Sequence, residues 1–163
     1  MIVAVDSGFI LELADANEKA WDTFSFLLEH PRPFSFIVTP ATEDLLEFHS
    51  RQSEEKSSLL AFRALKAVNS EWKIKTASLD DSQRKLTWIV GYHLRQSKII
   101  SEEMRIESDL IAEAILIADL FLVSENSPLY KVDHRELALE TRLLGLSPTI
   151  ICTPGFLRDT LSE

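Results

Sequence analysis

The chain has 163 residues, 45% of them hydrophobic, and a net charge of −9 from 17 basic and 26 acidic side chains. That length and apolar content fit a single domain, 1–163, with a core of its own. The single cysteine, Cys152, excludes a disulfide framework and a cysteine-based zinc site, and it suits a reducing, cytoplasmic setting.

The chain opens on a strand rather than on a basic-then-apolar leader, and no apolar run reaches transmembrane length, so no membrane role is expected. The acidic total hides a split. Residues 51–105 hold eleven Lys and Arg against seven Asp and Glu, a balance of +4, while the remainder carries −13. A basic middle beside acidic flanks allows one face for phosphates and another for cations.

The first element is MIVAVDSGF. A β-branched run, Ile2 to Val5, ends in Asp6 and a turn at Ser7 and Gly8, which reads as a buried parallel strand. Ligands of open parallel sheets bind beyond the carboxyl ends of the strands, where Asp6 falls. Two readings stay open for it: a ligand-binding acid, or the cap of the next segment.

A polar link is expected after Asp6. A helix then opens at Asn17, with Trp21, Phe24 and Leu28 at helical spacing, and Pro31 and Pro33 stop it. The second strand spans 34–39 and runs into Pro40; ATEDLLEF then forms a helix with Glu43 and Asp44 in its first turn. Ser53 reads as the cap of a further helix that packs through Leu59, Phe62, Leu65 and Val68. Residues 72–77 predict an edge strand guarded by Lys73 and Lys75.

From Asp81 to about Lys98 the spacing predicts a helix with Leu86, Ile89, Val90 and Leu94 inward, and with His93 as a hydrogen-bonded core histidine. Asp109 opens a helix that is apolar almost all round to Ala118, and a strand at 119–124 ends at Ser124, Glu125 and Asn126. Asp133 and Glu136 sit at capping-box spacing, with Gly145 at the helix end. A strand at 149–152 and a short helix after Pro154 close the chain. The fold class is therefore α/β: a single α/β/α sandwich with a mostly parallel sheet of four or five strands.

Glycine-rich phosphate loops, a G-x-S-x-G elbow and paired histidines are absent; His30, His49, His93 and His134 are scattered. What remains is carboxylates near strand tips. Such groups repel unless a cation neutralises them, and hard oxygen ligands suit Mg²⁺ or Mn²⁺, which activates water against a phosphodiester.

In that setting VDSGFIL resembles the opening D-T/S-N-x-L-L box of the PIN-domain nucleases. VTPATEDL resembles their second box, and SDLIAEAILIADLFLVSEN resembles the N-D-x-x-I-A-x-x-A…L-V-T-x-D block. KVDHREL and IICTPGFL are similar to the tail of longer members. The likeness runs through essentially the whole chain.

The resemblance implies an α/β/α sandwich, an acidic Mg²⁺ or Mn²⁺ site and endonucleolytic cleavage of an RNA substrate, as in the toxin of a toxin–antitoxin pair. An antitoxin protein and a second copy of the chain are the protein partners this allows. Carried over by residue, Asp6, Asp44 and Asp109 match the three metal-binding acids, and Asn126 takes the fourth catalytic position, where the family has aspartate. Glu43 is an alternative to Asp44, and Glu113, one turn from Asp109, can add a carboxylate. Ungapped alignment instead puts the second and third acids at Leu45 and Ser108. That register, together with the neutral Asn126, points to the competing expectation: a degenerate PIN-like module that binds RNA or protein without cutting. A small-molecule enzyme lacks any nucleotide fingerprint here.

Overall fold

The computed structural model describes residues 1–52 and 54–162. Among the described residues five strands form one all-parallel sheet: β1 (Ile2–Val5), β2 (Ser35–Val38), β3 (Lys75–Thr76), β4 (Leu120–Leu122) and β5 (Ile150–Cys152), in the order β3-β2-β1-β4-β5. Eight helices connect them: α1 (Ser7–Ala14), α2 (Glu18–Glu29), α3 (Pro40–Ser50), α4 (Glu55–Asn69), α5 (Asp81–Gln96), α6 (Arg105–Ile117), α7 (His134–Leu143) and α8 (Pro154–Leu161). The expected α/β sandwich is what the chain adopts.

The side-chain period of two splits the core into two layers. Val3, Val5, Leu120, Leu122 and Cys152 face α1, α2, α4 and α8. Ala4, Phe121, Val123 and Ile151 face α5, α6 and α7. Strands apolar on both faces are what a parallel sheet covered on both sides requires. Helix α3 straddles the two, placing Leu46 in the first layer and Ala41 and Leu45 against the second.

The order of the strands positions everything that follows. The chain starts in the centre of the sheet, builds outward through β2 and β3, then returns to the other side of β1 for β4 and β5. Val5 pairs with Leu122, and the Asp6 amide donates to the Leu122 carbonyl at 2.9 Å. The switch of direction thus lies between β1 and β4, where a crevice opens beyond the strand ends.

Several elements differ from the sequence expectation. Asp6 is followed at once by α1, with no polar link: Phe9, Ile10 and Leu13 are buried at helical spacing and Asp6 caps the first turn. On α4 the packed residues are Ala61, Ala64, Ala67 and Val68, while Leu59 and Phe62 are about half exposed. Small alanines let α4 approach α1 and α3 closely, and bulkier side chains are pushed outward. On α5 the buried positions are Val90 and Leu94; Leu86 and Ile89 face outward. Leu28 on α2 is likewise exposed. Helix α6 begins at Arg105, so Asp109 stands one turn inside it rather than opening it.

The expected edge strand at 72–77 shrinks to Lys75–Thr76, because Lys73 adopts a left-handed φ of 52° and breaks the extended run. Ser53, read as a cap, lies outside the described residues. His93 is hydrogen-bonded as expected, with Nε2 2.6 Å from Glu140 of α7, but its side chain is 35% exposed and stands at the α5–α7 surface rather than in the core. Gly145 follows α7 with φ 77°.

The two-layer core makes a contrast that can be measured. Phe121 is fully buried in the interior strand β4, so Phe121→Ala is expected to cost about 3–5 kcal/mol in urea unfolding. Leu59→Gln, on the outer side of α4, is expected to cost under about 1 kcal/mol, whereas overpacking the inner side by Ala64→Leu costs about 1–3. A larger loss for Leu59→Gln than for Ala64→Leu would reverse the assigned face of α4.

Candidate functional site

Asp6 occupies the carboxyl tip of β1 and serves as N-cap of α1, its Oδ2 accepting from the Gly8 amide at 3.1 Å. Its other oxygen, Oδ1, is buried without a hydrogen-bond partner among the described residues. The capping reading therefore holds, through Oδ2. Burial pushes the carboxyl from 3.8 up to about 6, against the lowering effect of the Gly8 and Ser7 amides and the Ser7 hydroxyl. Gly8 matters for packing here: a Cβ on it would stand 3.1 Å from Ser124 Oγ and 3.3 Å from Asp6 Oδ2.

Two further acids share this corner. The Glu12 carboxyl is raised by burial, then by the negative charges of Glu125 and Asp6. Glu125, at the tip of β4, accepts from the Gly155 amide at 2.6 Å, at the start of α8. A side chain on Gly155 would collide with it at 2.9 Å. Asn126, the residue matched to the family's fourth acid, is exposed in the adjoining turn. Neither Glu12 nor Glu125 was singled out from the sequence. Glu12 was hidden because α1 read as a link, and Glu125 because the matching register falls on its neighbour.

A second acidic group stands where α3 meets α6. Asp44 and Asp109 line the same open pocket of about 310 Å³, walled by Leu45, Phe48 and Ile106. Glu113 is buried, and its Oε2 accepts from the Ala41 amide at 2.8 Å, satisfying one of the orphan donors of α3. Burial raises the Glu113 carboxyl; the Ala41 amide and Thr39 hydroxyl lower it, and Asp109 and Asp44 raise it further. Asp109 is raised by burial and lowered by the Arg95 and Arg105 guanidiniums. Arg95 is itself buried on α5 and donates to Ser108 Oγ, the alternative register position. Glu43 lies instead beside Val38, Leu65 and Thr76, in a small pocket apart from Asp44 and Asp109.

The predicted trio is thus divided: Asp44 and Asp109 come together with Glu113, and Asp6 joins Glu12 and Glu125. Among the described residues no three carboxylate, imidazole or thiol groups stand close enough to wrap one cation. The donor chemistry nevertheless suits a hard divalent ion, since every group is a carboxylate and Asp6 Oδ1 is an acceptor without a hydrogen-bond partner among the described residues.

The Asp6 shift has a consequence for stability. Below pH 3.8 the carboxyl is neutral in both folded and unfolded chains and costs nothing. Between pH 3.8 and about 6 the unfolded chain ionises while the buried carboxyl stays protonated, so stability falls by on the order of 3 kcal/mol and the loss is complete above about pH 6. Asp6→Asn keeps a good capping group. Without metal it is expected to melt higher than wild type at pH 8, with the advantage fading between pH 6 and 4. Equal melting temperatures across that range would contradict the buried, unpartnered carboxylate.

Comparison with known proteins returns no family: no protein-family model matches the chain, and no curated protein matches its sequence.

Proposed function

We propose that the protein is a metal-dependent endoribonuclease of PIN type, acting on single-stranded RNA in the manner of a toxin from a toxin–antitoxin pair. The observation that carries this reading is the Asp6 carboxylate. It is buried at the switch point of an all-parallel sheet, with one oxygen committed to α1 and the other without a hydrogen-bond partner among the described residues. A buried carboxylate with a vacant acceptor is costly in isolation and is relieved by a cation.

The residue that would hold Mg²⁺ or Mn²⁺ is Asp6, while Asp44 and Asp109 form the separate acidic pair between α3 and α6. Bound at Asp6, the cation supplies a polarised phosphoryl oxygen and an activated water. The chain's own residues set the frame around it. Glu113 ties α6 to the N-terminus of α3 and so fixes Asp109 relative to Asp44. Glu12 and Glu125, beside Asp6, are carboxylates at the right corner to take a proton from water or return one to a leaving oxygen. Phe48 and Ile106 keep the Asp44–Asp109 pocket largely apolar, which strengthens charge interactions inside it.

A second reading is favoured by Arg95. Its buried guanidinium bonds Ser108 and lowers Asp109, giving that acid an internal counter-ion in place of a metal. With the neutral Asn126 exposed, this supports a module that binds RNA or protein without cutting.

Cleavage of a labelled single-stranded RNA panel in Mn²⁺ separates the two. The nuclease reading expects turnover that chelation abolishes and that Asp6→Asn lowers by about a hundredfold or more. Because Glu125 stands beside Glu12 and Asp6, Glu125→Gln is expected to slow cleavage more than Asn126→Asp changes it. RNA binding without turnover in every variant would support the module, and full activity in Asp6→Asn would place any nuclease elsewhere.

A further inference from the structure

The candidate-site acids lie beyond the carboxyl ends of the strands. The opposite end of the sheet carries different chemistry. There, an open cleft of about 810 Å³ lies between α2, the start of β2 and the segment leading into β3; Trp21, Phe34 and Trp72 line it, with Lys73 and Lys75. A second cleft of about 600 Å³, between the end of α1 and α4, shares Trp21 and Trp72 and adds Arg63 and Lys66. The two indoles meet edge to face at 5.9 Å and form the ridge between the clefts. The Trp21 ring is fixed by its N–H donating to the Leu13 carbonyl at 2.9 Å.

The charges around this ridge are exposed. Ile74 is fully buried between Lys73 and Lys75, and both lysines are solvent-exposed. Among the described residues the ion pairs are His93–Glu140 and Arg158–Asp22, so none of the four cations is engaged in one. Lys66 lies over the Phe62 ring, 4.5 Å from its centroid. Glu71 is the one acid lining either cleft among the described residues. Four cations against one acid is a local reversal in a chain of net charge −9.

We propose that this end of the domain binds single-stranded nucleic acid, with bases stacking on the Trp21, Phe34 and Trp72 surfaces and phosphates tracking the cations on both sides. Aromatic platforms in a positive groove are the means by which unpaired strands are held without sequence readout, since every base has a π-face. Cations on both sides of the ridge call for more than one phosphate, so the ligand is an oligonucleotide rather than a mononucleotide. A duplex hides its base faces and does not fit. This inference stands apart from the nuclease reading: binding here needs neither Asp6 nor a cation.

The test is quenching of tryptophan fluorescence by a ten-nucleotide oligouridylate in chelator and low salt. Saturable quenching is expected, weakening steeply as salt rises. The double variant Lys73→Ala/Lys75→Ala is expected to weaken binding about tenfold or more. Trp72→Phe, which keeps an apolar ring, is expected to lower the signal markedly and leave the share that Trp21 reports. Trp88→Phe, which removes the exposed indole on α5, is expected to retain it.

No quenching in wild type would overturn the proposal. So would quenching that is undiminished in Trp72→Phe but vanishes in Trp88→Phe, because binding would then lie on α5. Equal affinity for a duplex of the same length, or equal competition by uridine monophosphate, would overturn the assigned ligand. Should Trp72→Phe not fold, the exposed double-lysine variant decides alone, and unchanged affinity in it counts against the site.

Discussion

The structure turns on how one carboxylate divides its two oxygens. Asp6 Oδ2 closes the first turn of α1 and so fixes how the chain leaves β1. Oδ1 is left in the interior without a hydrogen-bond partner among the described residues. Capping alone does not explain the choice of residue, because a serine or threonine would cap with a smaller desolvation cost and no buried charge. The second oxygen is the anomaly, and it sits at the one point in the sheet where strand order reverses. Burial by the surrounding apolar residues raises its pKa and also makes it receptive to a positive charge.

Around that point the fold holds neighbouring elements in place with backbone-directed carboxylates. Glu113 is bound to the N-terminus of α3 and Glu125 to that of α8, in both cases matching a negative charge to the positive end of a helix. At the other end of the sheet Asp119 accepts from the Ile2 amide at 2.7 Å and pins the start of β4 to β1. The acids at the strand tips therefore have structural partners as well as proposed chemistry. Their orientation is set by the folding of α3, α6 and α8 rather than by any ligand.

Much of this was legible in the sequence for physical reasons. Ile2–Val5, Leu120–Val123 and Ile150–Cys152 are uninterrupted apolar runs bounded by turn residues, and only a doubly covered parallel sheet uses such runs repeatedly. Asn17 and Asp133 announced their helices by capping chemistry, and both cap as read. Less legible was anything decided by close approach. Alanines in α4 carry no hydrophobic signal comparable to Leu59 or Phe62, yet they are what the neighbouring helices contact. Helix α1 is only eight residues long, too short for its spacing to stand out against the polar residues after it. The site was legible one acid at a time: Asp6 from its strand, Asp44 from the helix that follows β2, and Asp109 from the apolar helix that leads into β4. Their grouping was not, because it depends on how α3 and α6 meet, and neither helix records that in its own sequence.

Calorimetric titration of Mn²⁺ into metal-free protein addresses the central claim directly, since it reads the cation without needing the RNA to be known. One site is expected in wild type, lost in Asp6→Asn and retained in Asp109→Asn, while all three proteins stay folded. Wild-type protein that takes up no Mn²⁺ at millimolar concentration, or Asp6→Asn that binds it as wild type does, would contradict the role given to Oδ1 of Asp6.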